Sequence, residues 1–185
     1  GCVKEEPETA EGTKARLTLN IYEEGLRLAA RAADEKAVQD VNVFLYDVRR
    51  IARPQHFYVR GDVLECSVPV GEYEVYAVAN LHEDMGAMDR EELLAYEFRV
   101  PRSYASLPMS GQAVCTVGPK TQSVTVSVRR NVAKIVCNIS LDGTFYDLKL
   151  QSVQMMDMAG STMLFSENQQ ARELCSSELS TMASY

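Results

Sequence analysis

The chain reads as an all-β protein, an antiparallel β-sandwich with one short helix. Three observations predict it. About eight short runs of alternating or β-branched apolar residues are separated by turn signals. A single credible helix interrupts them, and the βαβ alternation of a parallel sheet is missing. With 185 residues, the chain can bury roughly 70% of its unfolded surface, enough for one good core.

The elements follow in order. Residues 1–15 are polar and acidic and read as a leader. From Arg16 onward Leu17, Leu19 and Ile21 alternate with Thr18, Asn20 and Tyr22, which predicts a half-buried strand. Gly25 breaks it, and the Ala-rich stretch to Asp40 has helix propensity but a narrow apolar face, so an exposed loop or marginal helical turn is expected. Val41 to Tyr46 is β-branched and aromatic, as in a central strand. Val63–Val70 and Tyr73–Asn80 are strands joined by a tight turn at Gly71. Asp89 to Tyr96 is the helix: Asp89 stands at the N-cap and Glu92 three residues on completes the capping-box spacing. Further strands are expected at Gln112–Val117, Ser123–Val128, Val132–Leu141 and Leu148–Met158. The tail after Phe165 is Ser-, Gln- and Met-rich and less regular.

Charge and chemistry narrow the function. The chain has 26 acidic against 19 basic residues, a formal charge of −7, which argues against nucleic acid or an anionic membrane surface as main partner. No apolar run approaches the ~20 residues of a membrane helix. Of the five cysteines, Cys66, Cys115 and Cys137 fall on apolar strand faces and are expected to pack as core thiols, and no CxxC pair suggests zinc. Only His56 and His82 offer imidazole, and neither stands in a catalytic motif. The search for an active site, a phosphate loop or a metal cluster finds no candidate, so the chain reads as a non-enzyme without a cofactor. His82-Glu83-Asp84 reads as a solvated loop leading into the capped helix, and Arg60-Gly61-Asp62 as turn chemistry between two strands.

Two features near the start stand out. Gly1-Cys2 has the form of the end of a lipobox, and the following Val3-Lys4-Glu5-Glu6 resembles the surface-export signal of Bacteroidetes lipoproteins, which makes Cys2 a candidate lipidation site. Arg27 and Arg31 lie in the weakly structured segment after the first strand, where a trypsin-like protease has access.

With those residues in place, the chain resembles the N-terminal domain of the Bacteroidales fimbrillins, the type V pilus subunits with their anchor and tip relatives. Residues 34–47 look like the family's first main-sheet strand, and Val70 to Asn80 like its G-x-Y-x-V-Y-x-V-A-N strand. Leu107-Pro108-Met109-Ser110-Gly111 is similar to its LPMSG turn and Arg130 to Ile135 to its R-x-V-A-K strand. The likeness runs from about Arg16 to Phe165, in the family's order.

The resemblance implies a transthyretin-like Greek-key sandwich over 15–165, preceded by a lipoprotein leader at 1–14 and followed by a tail or linker at 166–185. It implies a structural subunit of a cell-surface fimbria, held to the outer membrane through a lipid on Cys2. An arginine-specific protease would cut at Arg27 or Arg31 and remove the first strand, and a neighbouring subunit's strand would enter the groove lined for Leu17, Leu19 and Ile21. The alternative is a surface lipoprotein that does not polymerise, either a fimbrial anchor or a module binding glycan or a host ligand. Fimbrillins usually carry a second sandwich domain and a C-terminal donor segment, and the tail from Ser166 has too few alternating apolar residues for such a strand.

Overall fold

Strand pairing organises nearly all of the described chain. The computed structural model describes residues 13–24, 38–50, 53–100, 106–120, 122–132, 137–140, 151–165 and 174–178, with backbone alone at 122, 157 and 174–178. Its strands are β1 (Lys14–Glu23), β2 (Asp40–Asp47), β3 (Gln55–Arg60), β4 (Val63–Pro69), β5 (Gly71–Ala79), β6 (Glu97–Arg99), β7 (Met109–Val117), β8 (Gln122–Arg130), β9 (Gln154–Ala159), β10 (Ser161–Met163) and β11 (Leu174–Glu178). The helix α1 is Arg90–Leu94.

Seven strands hydrogen-bond in the order β3-β2-β5-β7-β8-β1-β4. β7 and β8 pair through Met109 with Arg130 and Ser110 with Arg129. At that corner the sheet turns into two layers, β3-β2-β5-β7 and β8-β1-β4. Their inner faces share one core that includes Leu17, Leu19, Val43, Val75, Val117 and Val126. Gly111 makes the corner: a Cβ there would lie 1.9 Å from the Ser127 carbonyl oxygen, so only glycine lets the two backbones come this close.

The sandwich departs from the sequence reading in several places. β1 runs antiparallel to β4 but parallel to β8. A parallel pair cannot be joined by a hairpin, and here the intervening chain makes the crossover. The turn at Gly71 is no hairpin either: β4 pairs with β1, while β5 pairs with β2 and β7. Val70 is the step between layers, and its N–H donates to the Thr13 carbonyl at 2.8 Å.

The strand expected over Val132–Leu141 is not formed at Cys137–Ser140, where Cys137 and Ile139 are exposed. β8 already pairs with β1 on one side and β7 on the other, so Cys137–Ser140 cannot pair beside it as the next strand of a hairpin. The last expected strand starts at Gln154 among the described residues, and β11 pairs with it from within the tail read as irregular.

β2 is buried at all eight positions. Its inner side chains enter the main core. Its outer ones, Phe44 and Tyr46, join Tyr76, Val78, Leu93, Phe98 and Leu164 in a second cluster. That cluster is roofed by α1 and the β6–β10 pair. The helix starts as its sequence indicates, with Glu92 Oε2 accepting the Asp89 N–H at 3.0 Å.

Candidate functional site: the β1 slot

β1 alternates strictly. Ala15, Leu17, Leu19 and Ile21 point into the core at 5% exposure or less, while Lys14, Arg16 and Tyr22 face outward. The strand is flanked on both sides, by β4 from Lys14 to Asn20 and by β8 from Leu17 to Glu23. Removing it would strand two ladders of backbone donors and acceptors and open an apolar trench. The Cys66 thiol of β4 donates to the Leu17 carbonyl oxygen at 3.8 Å, and burial, with a smaller push from Cys115, raises it to about 11. Cys66 and Cys115 thus pack against or within the core as expected, unlike Cys137.

The end of β1 is charged. Glu23 occupies the fifth inward position, and its Oε1 accepts from Arg130 Nε at 2.6 Å. Next to it, Arg129 donates to both oxygens of Glu24 at 2.7 and 2.9 Å, and the Ser127 hydroxyl adds a third bond at 3.2 Å. These bonds, Arg129 first, hold the Glu24 carboxyl below its ordinary range. Leu17, Leu19 and Ile21 are therefore brought together in one slot. Cys2, Arg27 and Arg31 lie outside the described residues.

The segments that carried the family resemblance act as joints between distant parts of the chain. Asn80, at a φ of 63° that asparagine tolerates, accepts the Gln39 N–H on its side-chain oxygen and donates to the Leu107 carbonyl at 3.1 Å. Ser110 donates to the Leu164 carbonyl, and Asn131 donates both to Ser110 Oγ and to that same carbonyl at 2.9 Å. The Asn80 and Ser110–Asn131 ties join residues far apart in sequence, so nothing in the local pattern of either partner announces them.

Two other places gather polar side chains. His82 lies between Asp40, at Nδ1, and Ser106 Oγ, 2.8 Å from Nε2. Both Asp40 and Ser106 are buried, so the set ties the start of β2, the loop after β5 and the approach to β7 together, with the serine hydroxyl enclosed. A shallow cleft beside α1 is lined by Tyr46, Arg50, Pro54, Glu74 and Arg90. Arg90 is already engaged there, paired with Glu74 and set 5.8 Å over the Tyr76 ring. The Arg60-Gly61-Asp62 tripeptide is the β3–β4 turn, with Gly61 at a φ of 108° and the Asp62 carbonyl accepting the Ile21 N–H.

No protein-family model matches the sequence, and no curated protein does. Solved structures do. A fimbrilin from Porphyromonas gingivalis superposes with a TM-score of 0.61 at 11% identity, over 85% of this chain and 53% of the other. The C-terminally truncated tip fimbrial protein of the same organism gives 0.58 at 15% identity, over 91% and 65%. A fimbrial assembly protein from Parabacteroides distasonis gives 0.52 at 18% identity, over 90% and 71%. The chain spans about half the length of the fimbrilin it matches. At these identities the likeness is one of fold, and this chain has the β-sandwich fold of the Bacteroidales fimbrilins.

Proposed function

We propose that the chain is a structural subunit of a cell-surface fimbria, exported as a lipoprotein through Cys2 and assembled by strand exchange into the β1 slot. Cleavage at Arg27 or Arg31 by an arginine-specific protease separates β1 from the body, and a strand from a neighbouring subunit replaces it. The observation that carries this reading is the position of β1. It is the middle strand of its layer, bonded on both edges, yet it is the first strand of the described chain and is followed by a segment that carries Arg27 and Arg31. One cut after it therefore detaches a whole central strand without breaking any other described element. The replacement satisfies the same backbone groups and fills the same pockets. In this scheme residues 1–14 form the leader, 15–165 the sandwich and 166–185 a tail or linker.

Limited digestion of the native protein by an arginine-specific protease, followed by intact mass, tests it. A first cut at Arg27 or Arg31, with the fragment up to that residue exchangeable for a synthetic strand, is expected. First cuts elsewhere, or a fragment that cannot be exchanged, would move the reading to a surface lipoprotein that does not polymerise. The cleft beside α1, with its tyrosine and ion pair, favours that second reading as a place for a polar ligand such as a glycan.

A further inference from the structure

Resting on the strand-exchange reading above, we infer that the β1 slot selects its incoming strand by charge. Its occupant is a neighbouring subunit's strand with alternating apolar residues that ends, at the next inward position, in a carboxylate seated against Arg130.

Two rows of side chains face each other across β1 and β8. Ala15, Leu17, Leu19, Ile21 and Glu23 are the inward side chains of β1. Val124, Val126, Val128 and Arg130 share one face of β8, and the parallel register sets Ile21 beside Val126 and Glu23 beside Val128. Each row is apolar until its end, where one carries an acid and the other a base. The Glu23 side chain is only 6% exposed, against 39% for Arg130. Such a carboxylate is taken out of water and needs its partner, while the guanidinium keeps part of its contact with solvent. When β1 leaves, Arg130 loses the carboxylate that its Nε holds at 2.6 Å. An incoming strand with an apolar residue at that place offers Arg130 no such contact.

The same pair fixes register. A slip of one residue turns every apolar side chain of the strand to solvent. A slip of two keeps the apolar row inward but moves the carboxylate away from Arg130 or into the pocket of Ile21. Hydrophobic alternation alone does not penalise that second slip, and the charge does. Arg129 and Glu24 do not share this role, because their side chains are 75% and 45% exposed and water replaces their contact at little cost.

The test uses the full chain with a recognition sequence for a second protease inserted between residues 27 and 31, so that β1 is freed whether or not the arginines are natural cut sites. Fluorescent peptides of residues 13–24 are loaded into the cut protein, one of native sequence, one with Glu23→Gln and one with Glu24→Gln, and their release is timed. The Glu23→Gln peptide is expected to leave roughly tenfold to a hundredfold faster than the native one, and the Glu24→Gln peptide within about threefold of it. Arg130→Gln in the protein should narrow the difference between the native and Glu23→Gln peptides. Equal release of those two from the unaltered protein would overturn the inference and leave strand exchange standing. Exclusion of every peptide, the native one included, would overturn both. The peptide comparison alone decides the matter if the Arg130→Gln chain fails to fold.

Discussion

The two layers of the sandwich differ in what holds their central strands. In β3-β2-β5-β7, β2 is covered on both faces, by the main core and by the cluster of Phe44, Tyr46, Tyr76 and Leu93. It pairs with β3, its neighbour in sequence, and with β5 over seven register positions. In β8-β1-β4 the central strand buries one face, shows Tyr22 to solvent at 51%, and makes the parallel pair of the sheet. The first layer is welded to the rest of the molecule. The second holds its middle strand by one apolar face, two ladders and a charged end. That difference makes β1 the strand that the proposed exchange would remove.

The largest effect is expected where the layers join. Gly111→Ala sets a methyl 1.9 Å from the Ser127 carbonyl oxygen, so the β7–β8 corner must open. Thermal unfolding should show a loss at or beyond the roughly 3 kcal/mol of severe overpacking, and an unchanged melting temperature would refute the role given to the corner.

A matched pair of core truncations sharpens the comparison. Leu19 and Leu45 are both fully buried in the shared core. In the uncut chain Leu19→Ala and Leu45→Ala should each cost about 2–5 kcal/mol by denaturant titration. Once β1 has been cut away and replaced by a native peptide, the Leu19→Ala penalty should vanish while that of Leu45→Ala persists. Persistence of both would mean that β1 never left.

A smaller loss is expected for Ser110→Ala, which removes the hydroxyl holding the Leu164 carbonyl. About 1 kcal/mol is the scale for one such bond, and the change should appear as faster hydrogen exchange around residues 161–165 before it appears in global stability.

The smallest effect belongs to Glu24. Its carboxyl is held below its ordinary value by Arg129, so its contribution is present above the unfolded-state value and is lost as pH falls through the folded one. The pair is exposed, so melting curves between pH 3 and 5 should differ little between the native chain and Glu24→Gln, and less still at high salt. A large difference there would show that the outer pair, and not Glu23 with Arg130, secures the end of β1.

Much of this was legible beforehand. Strict alternation at Leu17, Leu19 and Ile21 gave β1, and the Asp89–Glu92 spacing gave α1, because each is a local pattern. What could not be read depends on partners distant in sequence. Parallel pairing of β1 with β8, the crossing at Val70 and the failed strand at Cys137–Ser140 all depend on which strands, distant in sequence, β1, β4 and β8 take as neighbours. Glu23 could have been noticed as the acid that ends an apolar row, but its meaning required Arg130, 107 positions away. The short β6–β10 pair carries only three residues on each side, too few for any alternation to register.

The most direct test of the central claim is hydrogen exchange by mass spectrometry on the chain cut between β1 and β2, before and after β1 has been displaced. The account predicts that amides of β4 and β8 lose protection when β1 departs, that those of β2 and β5 stay protected, and that adding a native β1 peptide restores the first set. Collapse of protection in β2 and β5 together with β4 and β8 would contradict it, since β1 would then be an inseparable part of one cooperative core and not a removable strand.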